Sequence, residues 1–403
     1  MSGADIRPTF GLHEERRVRN LLTDADLSEL ANWRRDLHRH PELSGEERET
    51  AARVCAMLTP TAPDRVLSGL GGHGVAAIYE GAAPGPTVLV RSELDALPIQ
   101  ELGDTPHRST VPGKAHLCGH DGHSAILLGL ARLLGRDRPQ RGRVVLLFQP
   151  AEENGAGAAA VIADDRYRDI KPDFAFALHN MPGVPLAEGS LSAGPANCAS
   201  RGMRVRFQGS TAHASQPETG RSPMRAIARL MPALEDCGGR GPIGPDFVMA
   251  TVTHAAMGAP AYGVAPGDAE VRATLRTLLD SRMEALCARA EALARSAAED
   301  SRLDCEIDYD DIFAACTNDA QATEFLREGA ARAGLTTRPM ASAHRASEDF
   351  GRFGADARSA MLFLGSGVDC PHLHTPDYDF PDALIAPGIR LFAETIAACF
   401  EQI

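Results

Sequence analysis

Short apolar runs that alternate with helical patterns constrain the fold of this chain more than any other feature. The runs PTVLVRSELD, GRVVLLFQP and DFAFALHN are bounded by glycine, proline or polar residues, as is typical of buried β-strands. An apolar helical pattern covers residues 123–134, between the first two runs, and GAGAAAVIADD predicts a shorter helix before the third. Strands that alternate with helices predict an α/β domain with a mostly parallel central sheet.

A different pattern occupies residues 196–305. Strand patterns and amphipathic helices follow one another there in the order β-α-β-β-α-β, which is the ferredoxin-like arrangement. We therefore predict an α+β module over residues 196–305, inserted into an α/β domain made of residues 1–195 and 306–403.

Composition and charge exclude several classes of protein. The net charge of −13, without a polybasic run, argues against nucleic acid or an anionic membrane as a partner. The start, MSGADIRPTFGLHEERRVRN, lacks the apolar stretch of a secretory signal, and the runs AILLGLARLL and VVLLF are shorter than the roughly 20 residues that span a bilayer. Nine cysteines, an odd number scattered along the chain, predict reduced thiols and a cytoplasmic location.

Acidic residues and a histidine follow the predicted strands of the α/β domain. Glu93 and Asp95 end the first run, Glu152 and Glu153 follow the second, and His179 ends the third. In open α/β sheets, sites collect at the carboxyl ends of the strands. These side chains are therefore expected to lie close together.

The stretch HLCGHDGHS adds two further candidate ligands. Cys118 and His120 are two residues apart, and Gly119 between them permits a tight turn. Together with Glu153 and His179 they offer a thiolate, imidazoles and a carboxylate, which suits zinc, manganese, cobalt or nickel better than magnesium or calcium. His372 or His374 of PHLHTPDYDF is a candidate to complete the set.

Glu152 is the candidate general base. Neighbouring side chains diverge, so Glu153 can bind metal while Glu152 faces a water whose pKa the metal lowers. Such a carboxylate can accept the proton of that water and pass it to a leaving amine. The alternative for an isolated Glu-Glu pair is a solvated charge pair.

The inserted module contributes two candidates. His213 of GSTAHASQP follows a strand and could meet a substrate oxyanion in its own or a partner's site. Arg276 of VRATLRT could bind a substrate carboxylate through two hydrogen bonds, although a structural ion pair is its alternative. Ser347 of SEDF is equally consistent with a helix cap. We interpret the remaining isolated histidines as structural: His13, His38, His40, His73, His107, His254 and His344.

Taken in order, these motifs resemble one family over nearly the whole chain. They are LHRHPELSGEE, LVRSELDALPI, HLCGHDGHSAILLGLA, LLFQPAEENGAGA, ALHNMPG, GSTAHASQP, ATLRT, SEDF and LHTPDYDF. The chain resembles the two-metal amidohydrolases that include hippurate hydrolase, N-acyl-amino-acid deacylases and the plant indole-acetyl-amino-acid hydrolases. The resemblance implies a two-metal α/β peptidase domain with a lid that also makes dimer contacts.

The resemblance also implies a role for each matching residue. The implied metal ligands are Cys118, His120, Glu153, His179 and His374. Glu152 would be the general base and then the general acid, and Asp95 would orient the site. His213 would match the lid histidine that often reaches the neighbouring subunit's site, and Arg276 would hold the substrate's carboxylate or carbonyl. His116 and His123 are interpreted as supporting or structural groups.

Two positions depart from the family pattern. Glu93 stands where relatives usually carry aspartate, and Gly263 stands where they usually carry asparagine. The second departure bears on substrate or dimer contacts rather than on the metals. We expect two divalent ions per subunit, an N-acyl amino acid or a related small amide as the substrate, and a homodimer, with further pairing into a tetramer left open. The alternatives are a dipeptidase or carboxypeptidase on the same scaffold, a non-catalytic binding protein, and a regulatory zinc site.

Overall fold

A computed structural model describes residues 22–239 and 241–403 of the protein. The N-terminal stretch of residues 1–20 in which no secretory signal is predicted, with His13, lies outside the described residues.

An eight-stranded sheet forms the centre of the larger domain. In chain order its strands are β1 (Arg65–Leu70), β2 (Gly74–Glu80), β3 (Thr87–Glu93), β4 (Arg143–Gln149), β5 (Phe174–Pro182), β6 (Gly189–Ser190), β15 (Thr337–Arg338) and β16 (Arg358–Gly367). The spatial order is β1-β2-β4-β3-β5-β16-β6-β15, and the four central strands β4, β3, β5 and β16 are parallel. Their continuous apolar runs reflect burial on both faces, so the predicted α/β class with a mostly parallel sheet is confirmed.

Helices cover both faces of this sheet. The helices are α1 (Asp24–Arg39), α2 (Arg48–Leu58), α3 (His120–Arg136), α4 (Gly157–Ala163), α7 (Ala320–Arg332) and α8 (Ile385–Gln402). Alternate residues of one strand enter different cores: Val88 and Val90 pack in the core that contains α1, α2, α3, α7 and α8, whereas Leu89 packs in the core that contains α4.

The C-terminal helix is apolar enough to raise the question of a membrane span. By length and composition alone, the segment Asp382–Gln402 could cross a bilayer. However, 56% of its apolar window is buried, and Ile389, Leu391 and Phe392 lie in the core beneath the sheet. It is built into the described domain as a core helix.

The second unit is a four-stranded antiparallel sheet with two helices on one face. Its elements are β8 (Ala199–Gln208), α5 (Met224–Glu235), β10 (Val248–Met257), β12 (Asp268–Thr277), α6 (Asp280–Ser301) and β13 (Asp304–Phe313), in the sheet order β10-β12-β8-β13. Met203, Val205 and Phe207 face both helices in one core. The order of elements is the one that the sequence predicts.

Both predicted boundaries fall within strands: residue 196 lies in the strand Gly194–Asn197, and residue 305 lies in β13. β13 continues through residues 305 and 306 because its pairing with β8 extends as far as Phe313 opposite Ser200. The unit's last strand therefore ends later than the predicted residue 305, and the division into domains otherwise stays a prediction. Two short strand pairs complete the described fold: β7 (Gly194–Asn197) with β14 (Cys316–Asn318), and β9 (Ala212–His213) with β11 (Val264–Ala265).

Candidate metal centre

The carboxyl ends of the central strands meet at one edge of the sheet, as the sequence predicts. Glu93 is the last residue of β3 and pairs with Gln149, the last residue of β4. Glu152 and Glu153 follow β4 directly, and His179 lies near the end of β5. The chain topology therefore gathers residues that are far apart in sequence.

The turn before α3 places Cys118 and His120 beside this edge. Gly119 has φ 97° and ψ 11°, a left-handed conformation that favours glycine. A Cβ atom at this position would lie 2.4 Å from Oδ1 of Asn180. Only glycine satisfies both conditions, so the residue between the two candidate ligands is required by backbone conformation and by space.

The structure brings all five predicted ligands together. Sγ of Cys118 lies 3.4 Å from Nε2 of His179. The two carboxylate oxygens of Glu153 face different histidines, at 3.8 Å from Nε2 of His120 and 3.6 Å from Nε2 of His374. Two overlapping groups result, one of Cys118 with His120 and His179 and one of Cys118 with Glu153 and His374, and in each the ligand atoms lie within 4.8 Å of one another.

The donor atoms fit two divalent cations. Nε2 of His120 and Oε1 of Glu153 are buried without a hydrogen-bond partner in the described structure, which is costly unless another group binds them. Nδ1 of His120 donates to the carbonyl of Asp95 at 2.9 Å, and Nδ1 of His179 donates to the carbonyl of Asn180 at 2.8 Å. Both bonds leave Nε2 directed at the centre with a free lone pair, as metal-binding histidines require.

A backbone hydrogen bond also fixes the last candidate ligand, His374. His374 has φ 64°, which is uncommon for a residue other than glycine, and its N–H donates to the carbonyl of Leu117 at 2.8 Å. The loop after β16 is thereby attached to the residue that precedes Cys118.

Asp95 contacts two of the candidate ligands. Its Oδ1 lies 3.3 Å from Nδ1 of His120, and its Oδ2 accepts from Ser44 Oγ at 2.7 Å and from the backbone N–H of Glu153 at 2.9 Å. Burial acts to raise the pKa of Asp95, but its contacts with His120 hold it below the ordinary value. The carboxylate therefore orients both His120 and Glu153.

Glu152 is buried in an excess of negative charge. Its Oε2 lies 3.8 Å from Nε2 of His120, and its carboxylate lies within 4.8 Å of those of Glu348 and Asp349. Burial, followed by the charges of Glu348 and Glu153, raises the pKa of Glu152 well above its ordinary value. Bound cations would offset this excess of charge.

A buried arginine partly balances these acids. Arg91 is 1% exposed and donates to Glu348 at 2.8 Å, to Asp349 at 2.6 Å and to Glu93. The sequence pattern does not single out Glu348, because SEDF is equally consistent with a helix cap by Ser347. In the structure Glu348 is the cap, since it accepts from the N–H of Phe350 at 3.0 Å. The two adjacent acids of SEDF, Glu348 and Asp349, are the sequence signal that could have identified this part of the site.

A cavity of about 500 Å³ opens above the centre and reaches the inserted module. Glu152, Glu153 and His374 line one side, and Arg276 lines the other. The guanidinium of Arg276 donates to the carbonyl of Arg345 at 3.0 Å and to Oγ of Ser347 at 2.8 Å. Because burial is not offset by a nearby carboxylate, the pKa of Arg276 lies below its ordinary value.

His213 is not among the residues that line this cavity within its own chain. It lies on β9, is exposed, and its Nδ1 contacts Oγ of Ser215 at 2.7 Å. Gly263 directly precedes β11, the strand paired with β9, and its carbonyl accepts from the N–H of Ala214 at 3.0 Å. His344, interpreted from sequence as structural, lines the cavity with its ring centroid 4.3 Å from that of Phe363.

A model of the peptidase family M20/M25/M40 matches residues 89–398. The chain belongs to this family. It is 32% identical over 369 residues to N-acetyl-L-cysteine deacetylase of Bacillus subtilis, covering 91% of this chain and 86% of that protein. It is 28% identical over 372 residues to hippurate hydrolase of Campylobacter jejuni, covering 91% and 95% of the two chains.

A solved structure agrees with this membership. The crystal structure of a dinuclear metal-binding peptidase of the M20 family from Bacillus subtilis has a TM-score of 0.78, at 27% identity, over 94% of this chain and 100% of that one. The family resemblance predicted from the motifs is therefore confirmed, and the M20 fold accounts for the large, mostly parallel sheet.

This M20 chain supports its centre with a buried network around His123. Its Nδ1 lies 2.6 Å from Oε2 of Glu93 and its Nε2 lies 2.6 Å from Oδ1 of Asn180, whose Nδ2 donates to Tyr378 Oη at 2.5 Å. Glu93, the departure noted in the sequence, uses its two oxygens for Arg91 and His123. The network thereby links Glu93 at the end of β3 to Asn180, which follows the candidate ligand His179.

Proposed function

We propose that this protein is a metal-dependent amidohydrolase that hydrolyses the amide bond of an N-acyl amino acid or a similar small amide. The observation that carries the proposal is the position of Glu152 beside five candidate metal ligands, in a cavity that also contains an arginine without a carboxylate partner. The products would be a carboxylic acid and an amino acid or amine.

The ligands that we assign to two divalent ions are Cys118, His120, Glu153, His179 and His374. The mixture of thiolate, imidazole and carboxylate supports zinc or manganese first, with cobalt and nickel as alternatives. When bound, the ions would lower the pKa of the attacking water and polarise the amide carbonyl. This donor set also argues against a regulatory zinc site, which usually has four closed ligands and needs no adjacent Glu152.

The chain's own residues would perform the proton transfers and the positioning. Glu152 takes the proton of the attacking water and delivers it to the leaving nitrogen as the carbon–nitrogen bond breaks. Asp95 keeps His120 and Glu153 in the required orientation through the contacts described above. Arg276 binds the free carboxylate beside the scissile amide, because a half-buried guanidinium with only neutral partners favours an anion.

The names of the relatives support an N-acyl amino acid over a peptide. Relatives named as N-acetylcysteine deacetylase and hippurate hydrolase cover more than nine tenths of this chain. A dipeptidase or carboxypeptidase on the same scaffold is the alternative that the substrate assay has to exclude.

A hydrolysis assay tests the proposal. Metal-free protein is supplied separately with Zn, Mn, Co and Ni and assayed on N-acyl amino acids and on dipeptides. Hydrolysis of N-acyl amino acids is expected, and hydrolysis of dipeptides alone would favour the alternative. Glu152→Gln should retain bound metal and lose turnover by at least about 100-fold, as expected for removal of a general base. Glu80→Gln, at the exposed end of β2, is the matched control and should behave as wild type.

We further propose that His213 serves the site of the second subunit in a homodimer formed through the inserted module. Its exposure and its absence from the cavity lining of its own chain support this arrangement. Mixing Glu152→Gln with His213→Ala tests it, because a mixed dimer would contain one site with an intact Glu152 and an intact His213. Activity is expected to recover on mixing. Inactive mixed dimers would contradict the proposal, and so would a protein that is monomeric by light scattering and still fully active.

We also propose a cytoplasmic location. All nine cysteines lie in the described part of the chain and are free thiols, which supports a reducing compartment. Cell fractionation with compartment markers would test this directly.

A further inference from the structure

A buried arginine joins the two segments of the chain that carry the candidate ligands His120 and His374. Arg34 belongs to α1 and is only 1% exposed. Its Nη1 donates to Oδ1 of Asp379 at 2.6 Å and to Oδ2 of Asp121 at 3.3 Å. A single nitrogen therefore bridges two carboxylates that come from distant parts of the sequence.

Each of these carboxylates is close in sequence to a candidate ligand. Asp121 directly follows His120 in the first turn of α3 and is fully buried. Asp379 lies five residues after His374, in the loop between β16 and α8. Residues 368–381 of this loop form neither helix nor strand, so individual contacts rather than a hydrogen-bonded ladder fix their position.

The same guanidinium makes two further contacts. Its Nε donates to Oδ1 of Asp382, in the short turn that leads into α8, at 2.8 Å. Its Nη2 lies 3.2 Å from Nε2 of His107, which in turn lies 2.9 Å from Oδ2 of Asp379. A planar guanidinium can reach these groups together because its N–H groups point in fixed, divergent directions, whereas a lysine offers one compact ammonium.

The arginine also separates two like charges. Because Asp121 and Asp379 accept from the same Nη1, the two carboxylates would face each other without it. His38 does not replace the bridge: its Nδ1 lies 2.8 Å from Oδ2 of Asp121 but 4.0 Å from Oδ1 of Asp379, too far for a hydrogen bond. Loss of the arginine leaves an uncompensated buried charge, so Asp379, which is 26% exposed, is expected to move towards solvent with its loop.

We propose that Arg34 is a positioning residue of the metal centre. By bridging Asp121 and Asp379 it holds the loop of His374 against the start of α3, and so determines the affinity for the ion that His374 would bind. The inference rests on the proposed function, in which His374 is a ligand. Arg34 is not among the residues that line the cavity, so it acts through the loop and not on the substrate.

Metal titration of the full chain tests this inference. Zinc binding to the metal-free protein is measured by isothermal calorimetry for the wild type, Arg34→Met, His374→Ala and the double variant. Arg34→Met should weaken the binding of one of the two ions by about 10–100-fold, the usual effect of removing a group that orients a ligand. In the His374→Ala background the same substitution should change zinc affinity by less than about threefold, because no ligand remains in the loop to be positioned.

Arg35 provides a matched control on the same helix. It is 45% exposed and binds Oδ2 of Asp382 at 2.6 Å, so Arg35→Gln removes one positive charge and an exposed ion pair to the same loop. Such pairs contribute little, and the zinc affinities should stay at the wild-type values. Arg34→Lys keeps the charge without the bridge and should recover only part of the loss. If Arg34→Met does not fold, Asp379→Ala breaks the same bridge at a half-buried position, and the same criteria apply to it.

Several results would overturn the inference. One is an Arg34→Met variant whose zinc affinities both stay within about threefold of wild type. Another is an equal loss in the presence and absence of His374, or in Arg35→Gln, which would indicate a merely structural role. Full recovery in Arg34→Lys would contradict the bridge, and wild-type zinc binding by His374→Ala would leave no ligand to be positioned.

The proposed function is judged separately, because zinc binding is measured without substrate. A protein that hydrolyses no N-acyl amino acid, but in which Arg34→Met weakens zinc binding only when His374 is present, would refute the function and support the inference. A protein that hydrolyses N-acyl amino acids and keeps its zinc affinities in Arg34→Met would do the reverse.

Discussion

Replacing Gly119 by alanine should disturb both the stability of the protein and its metal centre. The residue has φ 97°, and a Cβ would lie 2.4 Å from Oδ1, 2.9 Å from Cγ and 3.0 Å from Nδ2 of Asn180. The neighbour is not a flexible chain end, because Asn180 is fully buried and bound to His123 and Tyr378. Either the turn or the Asn180 amide has to move.

The expected loss in the free energy of unfolding is the sum of two separate costs. An alanine in the left-handed region costs about 1–2 kcal/mol relative to glycine. Displacing Asn180 weakens its bonds to His123 and Tyr378, each of which contributes about 1 kcal/mol. The expected loss in the free energy of unfolding is therefore about 3–4 kcal/mol. Since Cys118 and His120 flank the altered residue, metal affinity should fall as well.

Gly334 provides a matched control for this substitution. It has φ 75°, follows the end of α7, and a Cβ there would meet no atom within 4 Å. Gly334→Ala should thus show only the conformational cost. Urea unfolding of the metal-free proteins compares the two, and metal content per chain is measured after dialysis. If Gly119→Ala were no less stable than Gly334→Ala and kept its full metal content, the packing argument would be refuted.

Three further perturbations test other parts of the structure. Cys118→Ser should reduce metal content after dialysis; unchanged content would remove Cys118 from the ligands. Arg91→Met leaves the buried carboxylates of Glu93, Glu348 and Asp349 without the arginine that pairs with them. It should lower the free energy of unfolding by about 3–5 kcal/mol. A loss below about 1 kcal/mol in urea unfolding would contradict this prediction. Burial acts to lower the pKa of His38, but its interactions with the carboxylates of Asp121 and Glu101 raise it to about 9. The contribution of His38 to stability is therefore complete below its unfolded-state pKa of about 6.5 and is lost as the pH rises through about 9. His38→Gln should lower the free energy of unfolding more at pH 6 than at pH 10. An equal or reversed difference would refute the assignment.

The parallel sheet, and the meeting of Glu152, Glu153 and His179 at one edge of it, were predictable because both depend on local signals. Buried strands are continuous apolar runs, and each is followed directly by the residues that it positions, such as Glu152 and Glu153 after β4. The rule that carboxyl ends of parallel strands share an edge then brings His179 to the same place. No contact between distant segments had to be known in advance.

The surroundings of the site were harder to predict because they join segments that are far apart in sequence. Arg91 meets Glu348 across 257 positions, and Asn180 meets Tyr378 across 198. No periodicity encodes such contacts. Arg345 stands in an irregular loop, where sequence patterns carry little information about the direction of a side chain. Only the folded structure places its backbone carbonyl beside the guanidinium of Arg276.

The central claim is that the cluster around Cys118 and Glu153 holds two divalent ions that are required for amide hydrolysis. The most direct measurement titrates metal-free protein with zinc or manganese and records hydrolysis of an N-acyl amino acid at each ratio of metal to chain. We predict negligible activity without metal and a plateau at two equivalents per chain. Substantial hydrolysis by the metal-free protein, or a plateau at one equivalent with no further ion bound, would contradict the account.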